Sequence, residues 1–176
     1  MTYLMTIDSG NTHVKWGLHD GSNWLEQGTI TQDKSILLQQ EWKSLPTPHG
    51  IIISNVSSIE TKKKLSEFLS CWKVEPRWIT PLVYQCGVRN YYADPSLLGS
   101  DRWAALIAAW NWQKKGCLVV DVGTAMTVDA LSDTGEFLGG IIVPGFKLMK
   151  ESLTTNITTL QNQEGEFSDF PNNTAN

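Results

Sequence analysis

The stretch Ile7-Asp8-Ser9-Gly10-Asn11-Thr12 returns at Val120-Asp121-Val122-Gly123-Thr124-Ala125 as the same series: apolar residue, Asp, any residue, Gly, small residue. In both places a short β-rich run leads into the Asp. A second apolar run follows, over 13–18 and 126–131, and each reaches a turn signal, Asp20-Gly21 in one copy and Thr134-Gly135 in the other. Each copy therefore predicts strand, acidic loop, strand, turn, strand. A Gly beside a small hydroxyl or amide side chain lets backbone N–H groups approach a phosphate, and an Asp ending the preceding strand can hold a hydrated metal ion. Two such loops facing each other would make a cleft for a nucleoside triphosphate. One Asp-x-Gly alone is a common turn sequence. The pair carries more weight, because strand and turn signals stay in step after both copies and the copies lie about one small domain apart.

Outward from the first copy, residues 3–7, 13–18 and 24–30 predict three antiparallel strands with a hairpin at Asp20-Gly21. Thr31 and Asp33 can cap a helix over 34–43, with Ile36, Leu37, Leu38 and Trp42 on one face. Residues 50–55 form a short apolar strand of the kind buried on both faces. A helix over 59–71, capped near Ser57 or Ser58, and a strand over 74–79 complete the order β-β-β-α-β-α. That order is the ribonuclease H-like fold, the unit that actin-like ATPases and sugar kinases duplicate; the step is one of fold analogy.

Residues 81–94 read as irregular, with Gly87 and Pro95 as breakers. A helix over 98–113 then carries Leu98, Trp103, Leu106, Ile107 and Trp110 as an apolar stripe. The second copy begins near Cys117 and runs through three strands to Gly139-Gly140, then 141–143, Pro144-Gly145 and a helix over 146–161. The expected fold class is α/β: duplicated ribonuclease H-like domains with mixed sheets flanked by helices, residues 1–115 and 116–176, and the nucleotide cleft between them. The second domain is short of the further strand and helices such a unit needs, so the expectation is an incomplete domain in a truncated chain.

A net charge of -4 and a pI near 5.3 leave no basic stripe for a nucleic-acid surface. The Lys62-Lys63-Lys64 run reads as the solvated face of a helix. Cys71, Cys86 and Cys117 contain no Cys-x-x-Cys, which argues against a disulfide framework or a zinc site and for a reducing compartment. The chain reaches Asp8 too soon for a signal peptide, and no apolar run is long enough for a bilayer. The expectation is a soluble, cytoplasmic protein with no nucleic-acid or membrane partner. Most of the eight Trp read as core or interface filling, since base stacking would need basic residues among them.

Four motifs stand in one order: Asp8-Ser9-Gly10-Asn11-Thr12, then Tyr92 with Gly99-Ser100-Asp101-Arg102, then Asp121-Val122-Gly123-Thr124-Ala125-Met126-Thr127, then Gly139-Gly140-Ile141-Ile142-Val143-Pro144-Gly145. The series resembles the type III pantothenate kinases, of the acetate and sugar kinase, heat-shock chaperone and actin superfamily, over nearly the whole chain. The resemblance implies ATP-dependent phosphorylation of pantothenate to 4'-phosphopantothenate, the first step of coenzyme A biosynthesis. It implies that Asp8, Ser9, Gly10, Asn11, Thr12, His13, Val14 and Lys15 bind ATP phosphates, with Asp8 near Mg²⁺. Tyr92, Gly99, Ser100, Asp101 and Arg102 would hold pantothenate, and Asp101 would be the general base. Asp121 would bind the monovalent cation, K⁺ or NH₄⁺, and Thr124 would contact ATP. Thr174 matches a substrate-contacting Thr, although Asn172 stands where the family usually has Gly. Homodimers are implied as well, and the apolar stripe over 98–113 agrees with that as well as with packing between the two halves.

Phosphoryl transfer leaves the protein three tasks: placing an alcohol in line with the γ-phosphate, neutralising charge, and removing the hydroxyl proton. Asp101 suits the last. Arg102 can fork onto a carboxylate, of which pantothenate has one, or form a structural ion pair with Asp94 or Asp101. Tyr92 can equally be core, and Lys15 an outer hairpin residue. No Gly-x-x-x-x-Gly-Lys-Ser/Thr is present, which excludes a P-loop kinase. Two rival functions remain open at this level: another small-molecule kinase of the superfamily, and a non-catalytic transcriptional accessory member of the same family.

Overall fold

The computed structural model describes residues 2–157 and 169–170. The described residues divide into two compact units, one comprising residues 2–119 with 129–139, the other residues 120–128 with those described from 140 onward.

The first unit opens with β1 (Leu4–Ser9), β2 (His13–His19) and β3 (Trp24–Thr31). These pair antiparallel in sequence, and β1 also pairs in parallel with β4 (Gly50–Asn55), which in turn pairs in parallel with the short β5 (Arg77–Trp78). The sheet order is β3-β2-β1-β4-β5, the mixed arrangement that the sequence order predicts. Alternation decides its faces. Met5, Ile7, Val14, Leu18, Ile51 and Ile53 are buried, and they join Leu38 and Trp42 of helix α1 (Leu38–Lys43) and Leu65, Phe68 and Leu69 of α2 (Ile59–Leu69) in one core. Trp42 sits at its centre with an edge-on ring of Trp16 and a stacked ring of Trp72, so the expected filling role of the tryptophans holds for these three.

The helix expected over 34–43 begins as a 3-10 turn at Gln32–Leu37 and becomes α-helical only at Leu38. Asp20 closes the β2–β3 hairpin by accepting from the N–H groups of Ser22 and Asn23 at 2.8 and 2.7 Å, with Gly21 at φ +100°. Ser58 caps α2 by accepting from the Thr61 N–H at 3.2 Å.

Residues 81–94 are more ordered than the sequence suggests. They contain β6 (Tyr84–Gln85) and β7 (Val88–Asn90), antiparallel strands joined by Cys86 and Gly87 at φ +51° and +85°. Two positive φ values are what a tight two-residue hairpin demands. Cys86 is not a usual residue for such a turn, which is why the signal was weak. Pro95–Leu97 forms a 3-10 turn capped by Asp94, and α3 runs over Ser100–Gln113.

The strands β8 (Cys117–Val122), β9 (Ala125–Leu131) and β10 (Glu136–Pro144) follow, and the second sheet has the order β6-β7-β10-β9-β8. The break expected at Gly139-Gly140 is absent: β10 runs straight through it, with Gly139 at φ +132° absorbing the irregularity. Leu98, Trp103 and Leu106 of α3 pack with Val88, Leu131 and Phe137 as the first unit's second core. In the second unit, helix α4 (Phe146–Asn156) follows β10 directly, and Val122, Ile141, Ile142 and Phe146 are exposed. Among the described residues no helix is long and apolar enough to cross a membrane.

Candidate functional site

The first Asp-x-Gly loop lies at the C-terminal end of β1. Asp8 stands opposite Lys15 in the β1–β2 ladder and beside Ser54 in the β1–β4 ladder, so all three belong to one face of the sheet. Ser9 and Val14 belong to the opposite face and are fully buried, leaving Val14 only its backbone to offer a ligand. Asn11, Thr12, His13 and Lys15 are exposed. Gln32, which the sequence did not single out, pins this loop: its Nε2 donates to the Ser9 Oγ at 3.2 Å and the Gly10 carbonyl at 2.6 Å. The Gly10 N–H donates to the His13 carbonyl at 3.0 Å. The loop is thus held from inside the sheet while its outer residues stay accessible.

The N-terminal turn of α3 is fastened to the end of β4. Buried Ser100 shares a hydrogen bond with the Ser54 hydroxyl at 3.0 Å and accepts from the Asn55 N–H at 3.1 Å. The first turn of α3, with Asp101 in it, is therefore tied to the strand lying beside Asp8. The Asp101 Oδ1 accepts from the Arg102 N–H at 2.7 Å, a position also favoured by the helix dipole. Gly99 makes this possible by close approach rather than by torsion: a Cβ there would collide with the Asp101 carboxylate.

Arg102 is 8% exposed, and its partner is Asp129, 1% exposed, on β9. Arg102 Nε donates to Oδ2 at 3.0 Å and Nη2 donates to Oδ1, a bidentate pair, while Nη1 reaches the Tyr92 hydroxyl at 3.5 Å. The bond to Asp129 raises the guanidinium pKa further, so Arg102 is charged at every relevant pH. Neither partner weighed from the sequence is used in this way. Asp94 instead accepts from the N–H and hydroxyl of Ser96 at 2.9 and 2.7 Å, which lowers its pKa. Tyr92 is half-buried against Phe137, ring centroids 5.2 Å apart. Its loop is shaped by buried Asn90, which accepts from the Tyr92 N–H at 3.0 Å and donates to the Pro95 carbonyl at 3.3 Å.

The second Asp-x-Gly loop belongs to the second unit. Asp121 and Thr124 are exposed. The Gly123 N–H donates to the Ala125 carbonyl and the Gly145 N–H to the Thr124 carbonyl, both at 2.9 Å. Gly145 is required by this approach, because a Cβ there would overlap the carbonyl oxygens of Gly123 and Thr124. Thr174 lies outside the described residues, and among those described no three His, Cys, Asp or Glu cluster as a metal site.

The residues that bond the candidate site residues and that the sequence reading passed over are Gln32, Ser54, Asn55, Asn90 and Asp129. Asp129 had a signal. It occupies an inward position of β9, between buried Thr127 and Leu131, and a carboxylate on the buried face of a strand requires a cation.

A mixed β3-β2-β1-β4-β5 sheet, with an acidic glycine loop at the end of β1 that recurs later in the chain, defines the superfamily of phosphotransferases and ATPases built on ribonuclease H-like domains. Within it, the chain belongs to the type III pantothenate kinase family, whose model matches residues 4–176. It is 58% identical over 172 residues to the type III pantothenate kinase of Nitrosospira multiformis, covering 98% of this chain and 66% of that one. The chain spans about two thirds of the length of the curated relatives it matches. A solved structure from Campylobacter jejuni, of a protein assigned to the Baf family of transcriptional activators, superposes with a TM-score of 0.55 at 24% identity, covering 97% of this chain and 69% of the other. The Ppx/GppA phosphatase of Aquifex aeolicus, type II variant, does so with a TM-score of 0.50 at 13% identity, covering 93% and 57%. At these identities the likeness shows the fold alone.

Proposed function

We propose that the protein transfers the γ-phosphoryl group of ATP to the primary hydroxyl of pantothenate, in the cytoplasm and as a homodimer, and that its chain is organised as two ribonuclease H-like domains, 1–115 and 116–176. The observation that carries this reading is the fastening of Ser100 to Ser54 and Asn55, which sets Asp101 beside the strand end bearing Asp8 and Lys15. One group to accept a proton and one loop to receive phosphates then stand at the ends of two strands paired side by side. Asp101 takes the hydroxyl proton as the alcohol attacks; Lys15 and the Gly10-Asn11-Thr12 loop receive phosphate oxygens. Asp8 would hold hydrated Mg²⁺, and Asp121 a K⁺ or NH₄⁺ ion. Both are strand-end carboxylates of the type hard cations choose, and the metal supplies charge neutralisation on the phosphates. Tyr92, Gly99 and Arg102 line the alcohol's side, Thr124 meets ATP, and Thr174 contacts the substrate.

The test is ADP release by the whole protein with ATP and Mg²⁺, with and without pantothenate, and with Na⁺ exchanged for K⁺. Turnover is expected only with pantothenate and to rise with K⁺. ADP release that ignores pantothenate but follows another alcohol would replace this substrate. Nucleotide binding without turnover on any alcohol would favour the regulatory reading.

Gly145 provides a second check on the ATP assignment. Gly145→Ala must push the Gly123 and Thr124 carbonyls aside, an overpacking that costs about 1–3 kcal/mol. ATP affinity, measured by calorimetric titration, is expected to fall about tenfold or more. Unchanged affinity would remove Thr124 and its loop from the nucleotide site.

A further inference from the structure

We propose that Asp129 is a positioning residue for the substrate's carboxylate, acting through Arg102: it occupies one forked edge of the guanidinium and so fixes which edge is presented. The inference rests on the pantothenate reading given above.

A guanidinium has two edges on which a carboxylate can sit with two parallel N–H bonds, one formed by Nε and an Nη, the other by the two Nη groups. Asp129 takes the first edge, through Nε at 3.0 Å and through Nη2. Both side chains are almost fully buried, and the pair is braced by Phe137, whose ring centroid lies 5.9 Å from the Arg102 Cζ. The arginine therefore has one orientation. Its second edge carries Nη1, on the side of the half-buried Tyr92 hydroxyl 3.5 Å away. A second carboxylate can pair with Arg102 in a fork only along that edge.

The electrostatics give the arrangement a selective character. Arg102 and Asp129 together are neutral, so the pair creates no broad positive field that would draw any anion. What remains is a directional set of N–H donors with a phenol beside it, suited to one carboxylate arriving in the guanidinium plane. Selection by direction needs Asp129, because a guanidinium freed from it can turn either edge outward.

The experiment compares two substrates on the whole protein: pantothenate and its neutral alcohol analogue, in which the carboxylate is reduced to a hydroxymethyl group. The wild-type protein is expected to prefer pantothenate in kcat/KM. In Asp129→Asn, which keeps the size of the side chain, that preference is expected to shrink about tenfold, through a higher KM for pantothenate, with KM for ATP unchanged. Arg102→Lys is expected to lose the preference too, and adding Asp129→Asn to it to change nothing more. A purely structural role would lower the two substrates equally and leave their ratio intact, which would overturn the proposal. A wild-type protein that does not turn over pantothenate would instead fail the functional reading itself.

Should Asp129→Asn not fold, the wild-type protein carries the test alone. The side-chain Nε–H resonance of Arg102 in ¹⁵N-arginine-labelled protein, assigned by its loss in Arg102→Lys, is expected to shift with pantothenate and not with the alcohol analogue. A resonance indifferent to pantothenate would overturn the assignment.

Discussion

Asp101→Asn is expected to lower pantothenate turnover by about 10²- to 10⁴-fold while ATP binds as before, the span over which a positioned general base contributes. The substitution is nearly isosteric. An Asn at this position can still accept from the Arg102 N–H, as Oδ1 of Asp101 does at 2.7 Å, and it fits the space that Gly99 leaves. The fold and the Ser100 tether to β4 should survive, so the loss would isolate proton removal. Single-turnover ADP formation together with a nucleotide titration makes the separation. Turnover within a few-fold of the wild type would take Asp101 out of the reaction. A parallel loss of ATP affinity would mean that the change had reached the loop at the end of β1.

Asp129→Ala is expected to cost about 3–5 kcal/mol of stability, because it strands a charged guanidinium that is 8% exposed. Chemical denaturation gives the value, provided the slope with denaturant is unchanged. The companion variant is more telling. Replacing both members with apolar residues, Arg102→Met with Asp129→Leu, is expected to recover most of that stability, since a buried ion pair is often no better than a well-packed hydrophobic one. It is also expected to leave pantothenate binding lost. Recovery of both would show that the pair serves the fold alone. Recovery of neither would show that the packing of Tyr92 and Phe137 around it depends on the charges.

The first sheet was legible because its determinants are local. Alternation in β1, the apolar run of β4 and the turn at Asp20-Gly21 each specify their element without help from distant chain. The boundary at α3 was nearly right for the same reason, with Pro95 and Asp94 marking the turn before it. The strands β6 and β7 were missed because two or three residues carry no period, and only pairing with a strand some fifty positions later, at Glu136 and Phe137, gives them a sheet to belong to. The family motifs supplied Asp101 and Arg102 directly. What they could not supply was what holds the loops and turns of the site in place. Ser54 and Gln32 act through hydrogen bonds to Ser100 and to Ser9 and Gly10, residues far away in sequence, and a polar residue in a strand or loop carries no mark of its partner. Asp129 stands apart, since its inward position in β9 demanded a cation whose identity only the fold could name.

The two connections flanking β2 differ in how freely they could be edited. The one before it, residues 10–12, is tied down at three points: the Gly10 N–H donates to the His13 carbonyl, and the Gly10 and Thr12 carbonyls accept from Gln32. An added residue would slide Lys15 away from Asp8 and reverse the inward and outward faces of β2. Among the described residues, the turn after it bonds within the hairpin, through Asp20 and His19, and nothing lies near the position of a side chain at Gly21. A peptide tag, a fluorophore-bearing cysteine or a tether to a surface belongs between Gly21 and Ser22, where it would lengthen an exposed tip and leave the register of the strands untouched.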